Sequence, residues 1–304
     1  MIIQRMTKGL NGIATLAHLG VIAVAGEDAG DFLQNQLTSD FALLGNGDAR
    51  LSAWCSAKGR MLASFIGFKR GNGEILLVTS RDILPQTLKR LSMFVLRSKA
   101  KLRDASAEFG LFGVAGDAAG GQPWALRHEG DASFVTLYPA DGTSRVLGVV
   151  PSGSSQPSGD MLDPSLWQWS EVRSGIATIT APIVEAFVPQ MLNYESVGGV
   201  NFKKGCYPGQ EIVARSQFRG TLKRRAFLAH SDGEMTVGQE LFHESDGDQP
   251  CGLVAQAARS PAGGWDAIVS VQLARTEGGR VTAGAADGVA VKLAAPPYPL
   301  LADI

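Results

Sequence analysis

The chain has little cysteine, little aromatic character and almost no net charge. Each shortage excludes something. Three cysteines occur in 304 residues, Cys55, Cys206 and Cys251, with no Cys-x-x-Cys pair. An odd number scattered over a long chain argues against a disulfide framework, and a reducing compartment is expected. It also argues against a resident iron–sulfur cluster, which usually takes four cysteine ligands. The net charge is −1, so the molecule as a whole is no electrostatic trap for nucleic acid or anionic membrane. No apolar run approaches the roughly 18 residues of a spanning helix, and the N-terminus lacks the pattern of a secretory signal, so a cytoplasmic location with no membrane partner is expected. Only four histidines are present, His18, His128, His230 and His243, none in the setting of a cysteine or serine hydrolase. No Gly-x-Gly-x-x-Gly loop follows a strand, which disfavours dinucleotide binding.

What is present is glycine, 37 residues of it, and many short apolar runs between turns. Leu19–Ala25 reads as a strand, followed by a helix from Asp28, its expected N-cap, to Leu37. Leu51–Cys55 and Met61–Phe68 read as a hairpin turning at Ser56-Ala57-Lys58-Gly59. Ile75–Thr79 is a strand and Ile83–Leu96 a helix. Leu111–Ala115, Phe134–Tyr138 and Val146–Val150 are further strands, and Leu166–Ser174 is a helix. Pro151–Gly159 is a Ser-, Gly- and Pro-rich surface loop. Beyond Arg225 five short apolar runs alternate with glycine-rich turns, the pattern of a small β-barrel or sandwich. Hairpins mixed with helices give an α+β class. The expected division is 1–110, 111–224 and 225–304: an N-terminal α+β part, a middle α+β part and a C-terminal β-barrel.

The information is concentrated in Asn201–Arg225, NFKKGCYPGQEIVARSQFRGTLKRR. Seven basic residues stand there against Glu211 alone, a net +6, so the remainder of the chain carries −7. That concentration points to an anionic ligand or partner. Cys206 follows Lys203, Lys204 and Gly205 and precedes a Pro208-Gly209 turn and an expected helix, Gln210–Phe218. Cations and a helix N-terminus nearby favour a thiolate. Cys55 and Cys251 read as small buried hydrophobes. A nucleic-acid module built on the basic run lacks an accompanying zinc knuckle or aromatic RNA motif.

Lys204-Gly205-Cys206-Tyr207-Pro208-Gly209-Gln210-Glu211 resembles the K-G-C-Y-x-G-Q-E signature of the YgfZ family, folate-binding proteins of iron–sulfur cluster assembly and repair related to the glycine cleavage T-protein. Weaker blocks extend the resemblance over nearly the whole chain: Phe32–Thr38, Lys58–Met61, Leu96–Lys99, Phe187–Asn193 and Gly198–Phe202. The resemblance implies a three-part ring around a central folate channel, with a C-terminal β-barrel. It implies tetrahydrofolate or a related reduced folate as cofactor, iron–sulfur client enzymes or assembly proteins as partners, and a functional cysteine, Cys206, facing the folate within a signature that includes Lys204, Tyr207, Gly209, Gln210 and Glu211. Direct contact with tRNA is compatible with it but not required. Two positions align with folate-associated tryptophans of the family. Trp167 could stack on a pterin or simply anchor its helix; Leu19 cannot stack. The alternative is one-carbon transfer of the T-protein kind. Where the T-protein carries adjacent aspartates in a strand, this chain has Ala63 and Ser64, which cannot exchange a proton at neutral pH.

Overall fold

The structure is a computed structural model that describes residues 9–116, 119–155, 157–218 and 222–301. Arg219, one of the seven cations of the basic segment, lies outside the described residues. The first sheet has the order β3-β4-β5-β2-β6, with β2 at Leu19–Ala25, β3 at Ala49–Cys55, β4 at Met61–Lys69, β5 at Ile75–Ser80 and β6 at Lys101–Asp104. All its pairings are antiparallel. β2 and β5 are apolar along most of their length because both faces of these central strands are covered. The second sheet has the order β1-β7-β10-β9-β8, from Gly12–Thr15, Phe109–Ala115, Thr143–Pro151, Ala132–Ala140 and Leu126–Glu129. The N-terminal strand β1 therefore belongs to the second sheet, beside β7.

The rest of the chain closes a six-stranded antiparallel barrel, β11 Arg224–Ser231, β12 Glu240–His243, β13 Pro250–Arg259, β14 Trp265–Gln272, β15 Val281–Ala283 and β16 Val289–Ala294. The barrel was legible as five runs; the sixth strand, the three-residue β15, lets β16 pair with β11 and removes the open edge. Its interior is a separate core that includes Leu241, Val254, Val269 and Val271. The barrel is tied to the sheets by buried polar contacts. Arg225 Nη1 meets Glu195 at 2.7 Å, Asn193 Nδ2 donates to the Ala226 carbonyl at 2.9 Å, and Trp169 Nε1 donates to Asp266 at 2.6 Å.

Among the described residues four α-helices complete the fold: α1 Ala29–Gln34, α2 Leu84–Ser92, α3 Pro164–Arg173 and α4 Gln210–Phe218. Helix α1 ends at Gln34, three residues short of the expected Leu37, and α3 begins at Pro164, two residues before the expected Leu166; two further differences have a visible cause. The Asp28 side chain does not cap α1; its carboxylate accepts the Lys99 backbone N–H at 2.7 Å instead. Helix α2 ends at Ser92, four residues early, because the following residues turn back toward β6 and Leu96 takes φ +37°. Asp163 caps α3 by accepting from Ser165 N at 2.8 Å, with Pro164 at the first helical position.

Candidate functional site

Two places gather the chemistry-bearing residues. The first is a cleft between the two sheets, closed at one side by α3 and the segment that follows it. The first sheet supplies Leu19, Ser64 and Phe65, the second Tyr138, Arg145 and Leu147, and α3 supplies Trp167 and Glu171. The walls are mostly apolar with a few converging polar groups, the usual make-up of a small-molecule site. Leu19 and Trp167, far apart in sequence, thus meet at one cleft.

Trp167 is 1% exposed. Its indole lies on Gly113 of β7, where a Cβ would come within 2.5 Å of the ring atoms. The Arg145 guanidinium stands 4.5 Å from the ring centroid. The indole is therefore already packed by protein, and its N–H is committed as well. Nε1 donates to Glu171 Oε1 at 2.9 Å, one helical turn along α3. The same carboxylate oxygen meets His18 Nε2 at 3.1 Å. Burial works against the charged form of His18, but the hydrogen bond and charge of Glu171 outweigh it and raise the pKa.

Arg145 is the unusual member. It is a buried guanidinium at the head of the apolar run Val146–Val150 of β10. Nη1 makes a long contact to the Tyr138 carbonyl at 3.4 Å, and Nε is buried with no partner. Burial lowers its pKa to about 10, with the Glu171 charge opposing, so it stays cationic at neutral pH. An unpaired buried N–H is costly, and a cleft that ends on one beside a carboxylate is suited to a ligand with both an acceptor and donors along one edge. Sequence reading missed Arg145 and Glu171. The available signals were a lone charge directly before the apolar run Val146–Val150 and an acid four residues after Trp167 on one helix face.

The second place is the signature loop. Cys206 is exposed, whereas Cys55 and Cys251 are buried. Burial pushes the Cys55 thiol up to about 12. Lys204 does not extend into solvent beside the cysteine. Its ammonium reaches the C-terminal end of α1 and donates to the carbonyls of Gln34 and Leu37, the latter at 2.6 Å. A cation there meets the negative end of the helix and its unpaired carbonyls. Burial lowers the Lys204 pKa to about 8, against the charges of Asp40 and of Cys206 when ionised. Tyr207 packs its ring 4.7 Å from the same ammonium, and its hydroxyl is buried without a partner. Gly209 takes φ +79°, and a Cβ there would lie 2.3 Å from the Ser56 carbonyl. Gly59 faces it with φ +69°, against Ile212 of α4. The turn of the β3–β4 hairpin and the signature turn are thus packed glycine on glycine, which neither position could tolerate with a side chain. Gln210 and Glu211 open α4, where Glu211 pairs with Arg215 at 3.1 Å on the exposed side.

The structure brings Trp167 and Leu19 together in the cleft, and Lys204, Tyr207 and Gly209 together in the signature loop. Cys206 does not line the cleft. Among the described residues no cluster of His, Cys, Asp or Glu is placed to hold a metal. No described helix is long and apolar enough to cross a membrane.

The paired sheets with an appended six-stranded barrel define the class: this is the fold of the glycine cleavage T-protein. The glycine cleavage system aminomethyltransferase T from Bartonella henselae superposes with a TM-score of 0.66 over 95% of this chain and 87% of its own, at 18% identity. The GCVT N-terminal domain family matches residues 5–121. Within that class the sequence is more specific. The tRNA-modifying protein YgfZ of Photorhabdus laumondii is 31% identical over 261 residues, 78% of this chain and 76% of that protein. YgfZ of Photobacterium profundum is 31% identical over 239 residues, 74% of this chain and 70% of that one. The chain belongs to the YgfZ family of tRNA-modifying proteins.

Proposed function

We propose that this chain is a reduced-folate-binding factor that supports the assembly or repair of iron–sulfur enzymes, including those that thiolate tRNA, and that it acts through Cys206. The observation that carries the folate part is the unpaired Arg145 Nε beside Glu171 in the cleft. A tetrahydropterin presents a ring N–H and an amino group, which suit a carboxylate, next to a carbonyl, which suits a guanidinium. Glu171 and Arg145 would read that edge, and the apolar walls would cover the ring faces. Trp167 would serve by fixing both groups through its N–H and its face, rather than as an open stacking platform.

The iron–sulfur part rests on the signature and the family. Cys206 is the one exposed thiol of the three, on a loop held by Lys204 and the paired glycines. The one-carbon transferase reading finds less support. Ala63 and Ser64 carry no carboxyl, and the Ser64 hydroxyl accepts the Ile179 N–H at 2.9 Å. Glu171, the carboxylate lining the cleft, is already shared by Trp167 and His18.

Titration with tetrahydrofolate, followed by tryptophan fluorescence, tests the reading. Saturable quenching is expected, together with weaker binding in Arg145→Met. No binding at millimolar folate would refute the cofactor. Cys206→Ala expressed at native level in a deletion strain tests the second part. It is expected to fold and to leave tRNA thiolation deficient.

A further inference from the structure

The basic segment ends beside a cavity that belongs to neither of the two places described above. This cavity lies where the barrel meets the β3–β4 hairpin and the segment before the signature, and its volume is about 530 Å³. That is within the usual range of small-molecule sites, which favour such junctions between packed units. It shares no lining residue with the cleft between the sheets. The hairpin turn supplies Arg60, the segment before the signature supplies Phe187 and Met191, and the barrel supplies Arg224, Glu240 and Leu253.

Two cations far apart in sequence thus line one cavity. Both are half-buried, and neither forms an ion pair among the described residues. Arg60 is braced in place: its Nη1 donates to the carbonyl of Ala186, another lining residue, at 2.6 Å. That bond fixes the guanidinium at the wall and leaves the other donors of its fork for a ligand. The Arg224 side chain forms no hydrogen bond among the described residues. Phe187 is buried, Met191 and Leu253 are half-buried, and the three give the cavity an apolar wall. Glu240 is exposed and stands directly across from Leu253 in the β12–β13 pairing, so the apolar wall ends on a carboxylate.

Two cations against one carboxylate leave the cavity with a net charge of +1. A ligand with a single negative charge balances it. A phosphate dianion would be drawn to the arginines but repelled by Glu240, and a neutral apolar ligand would cover both guanidiniums without pairing them. We propose that this cavity binds a small carboxylic acid with an apolar body. Arg60 and Arg224 take the carboxylate, for which the planar guanidinium fork is suited, and Phe187, Met191 and Leu253 cover the body. The C-terminus of a protein carries the same chemistry, and the test separates the two sources. This inference goes beyond the folate reading and does not depend on it.

The test is titration calorimetry of the full chain with naphthylacetate, beside naphthylacetamide and naphthyl phosphate. Saturable binding of naphthylacetate is expected, with the uncharged amide and the phosphate each about tenfold weaker. Arg60→Met and Arg224→Met should each weaken naphthylacetate about tenfold and leave naphthylacetamide unchanged. Arg60→Met also frees the Ala186 carbonyl, so Arg224→Met, which breaks no hydrogen bond among the described residues, is the cleaner variant. Glu240→Gln should narrow the gap between acetate and phosphate. Thermal unfolding of each variant confirms folding. No saturable binding at millimolar naphthylacetate, equal affinity for acetate and amide, or unchanged affinity in folded Arg224→Met overturns the proposal. Binding of a peptide ending in a leucine carboxylate through both arginines, with none of naphthylacetate, overturns it in favour of a protein terminus. Tetrahydrofolate binding should be unchanged in Arg224→Met, and its loss there would overturn the separateness of the two sites. A chain that binds naphthylacetate and not tetrahydrofolate would sink the folate reading alone.

Discussion

Replacing Lys204 by methionine keeps the length and most of the volume of the side chain but removes the ammonium. Two effects then compete. The carbonyls of Gln34 and Leu37 lose a charged donor, and each hydrogen bond to a charged group is worth about 1.5–3 kcal/mol. Against this, the variant no longer buries a cation, a cost visible in the lowering of the Lys204 pKa to about 8. The first effect should win, because carbonyls at a helix end buried without a donor keep their full desolvation penalty. A net loss of about 2 kcal/mol is expected, or roughly 4 °C in Tm for a chain of this size. The pH dependence gives an independent check. The folded lysine releases its proton near pH 8 and the unfolded one near 10.5, so between these values the unfolded state holds more protons. Stability attributable to Lys204 therefore rises with pH across that window. The difference between wild type and Lys204→Met should widen from about pH 8 upward, measured by urea unfolding at matched ionic strength. A variant with unchanged or higher Tm, or a difference that narrows over that range, would refute the argument that Lys204 braces α1.

Trp167→Phe keeps most of the packing on Gly113 but cannot donate to Glu171, so tetrahydrofolate should bind about 1–3 kcal/mol more weakly in titration calorimetry, while equal affinity would leave the tryptophan purely structural. Gly59→Ala places a Cβ 2.9 Å from Ile212 Cβ at φ +69° and should cost more than about 1 kcal/mol in urea unfolding; a neutral result would mean that the two turns are not packed as described. Limited iodoacetamide treatment with mass spectrometry should label Cys206 well before Cys55 and Cys251, and equal labelling of all three would contradict the burial of the latter pair. His18, whose pKa is raised by Glu171, contributes stability that is present at acidic pH and lost as pH rises through its folded-state value; in Glu171→Gln that contribution should disappear from the difference profile.

Much of this fold is readable from the residues, for a reason that also explains the omissions. β2 is a continuous apolar run, and β5 and β10 carry apolar runs at Ile75–Val78 and Val146–Val150, because these strands lie inside their sheets. The strands that escaped reading, β1 (GIAT), β6 (KLRD), β8 (LRHE) and β15 (VTA), have three or four residues each and lie at sheet edges or in the barrel seam. Their conformation is set by the strand beside them, not by their own pattern. The same distinction holds at the sites. The exposure of Cys206 follows from its local glycines and proline. The destination of the Lys204 ammonium does not, because residues 34 and 37 reach it only through the tertiary fold. Trp167 enters through family resemblance, either as a stacking ring or as the anchor of its helix. Its packing on Gly113 could not be seen without knowing that α3 crosses β7.

The cleft and the signature loop are separate in space, yet one element touches both. The β3–β4 hairpin places its turn under the signature glycines and Ile212, and a few residues further along β4 it places Ser64 and Phe65 in the cleft wall. The N–H of Met61, at the start of β4, donates to the Phe187 carbonyl at 2.8 Å, which ties the hairpin to the segment leading toward the signature. A ligand that presses on Ser64 or Phe65 therefore acts on a strand whose far end is locked to the loop bearing Cys206. The glycine-on-glycine contact makes that turn sensitive, since neither Gly59 nor Gly209 leaves room for the two chains to slide closer. The β3–β4 hairpin therefore packs its turn beneath the loop that bears Cys206 and lines the cleft with the strand that leaves it.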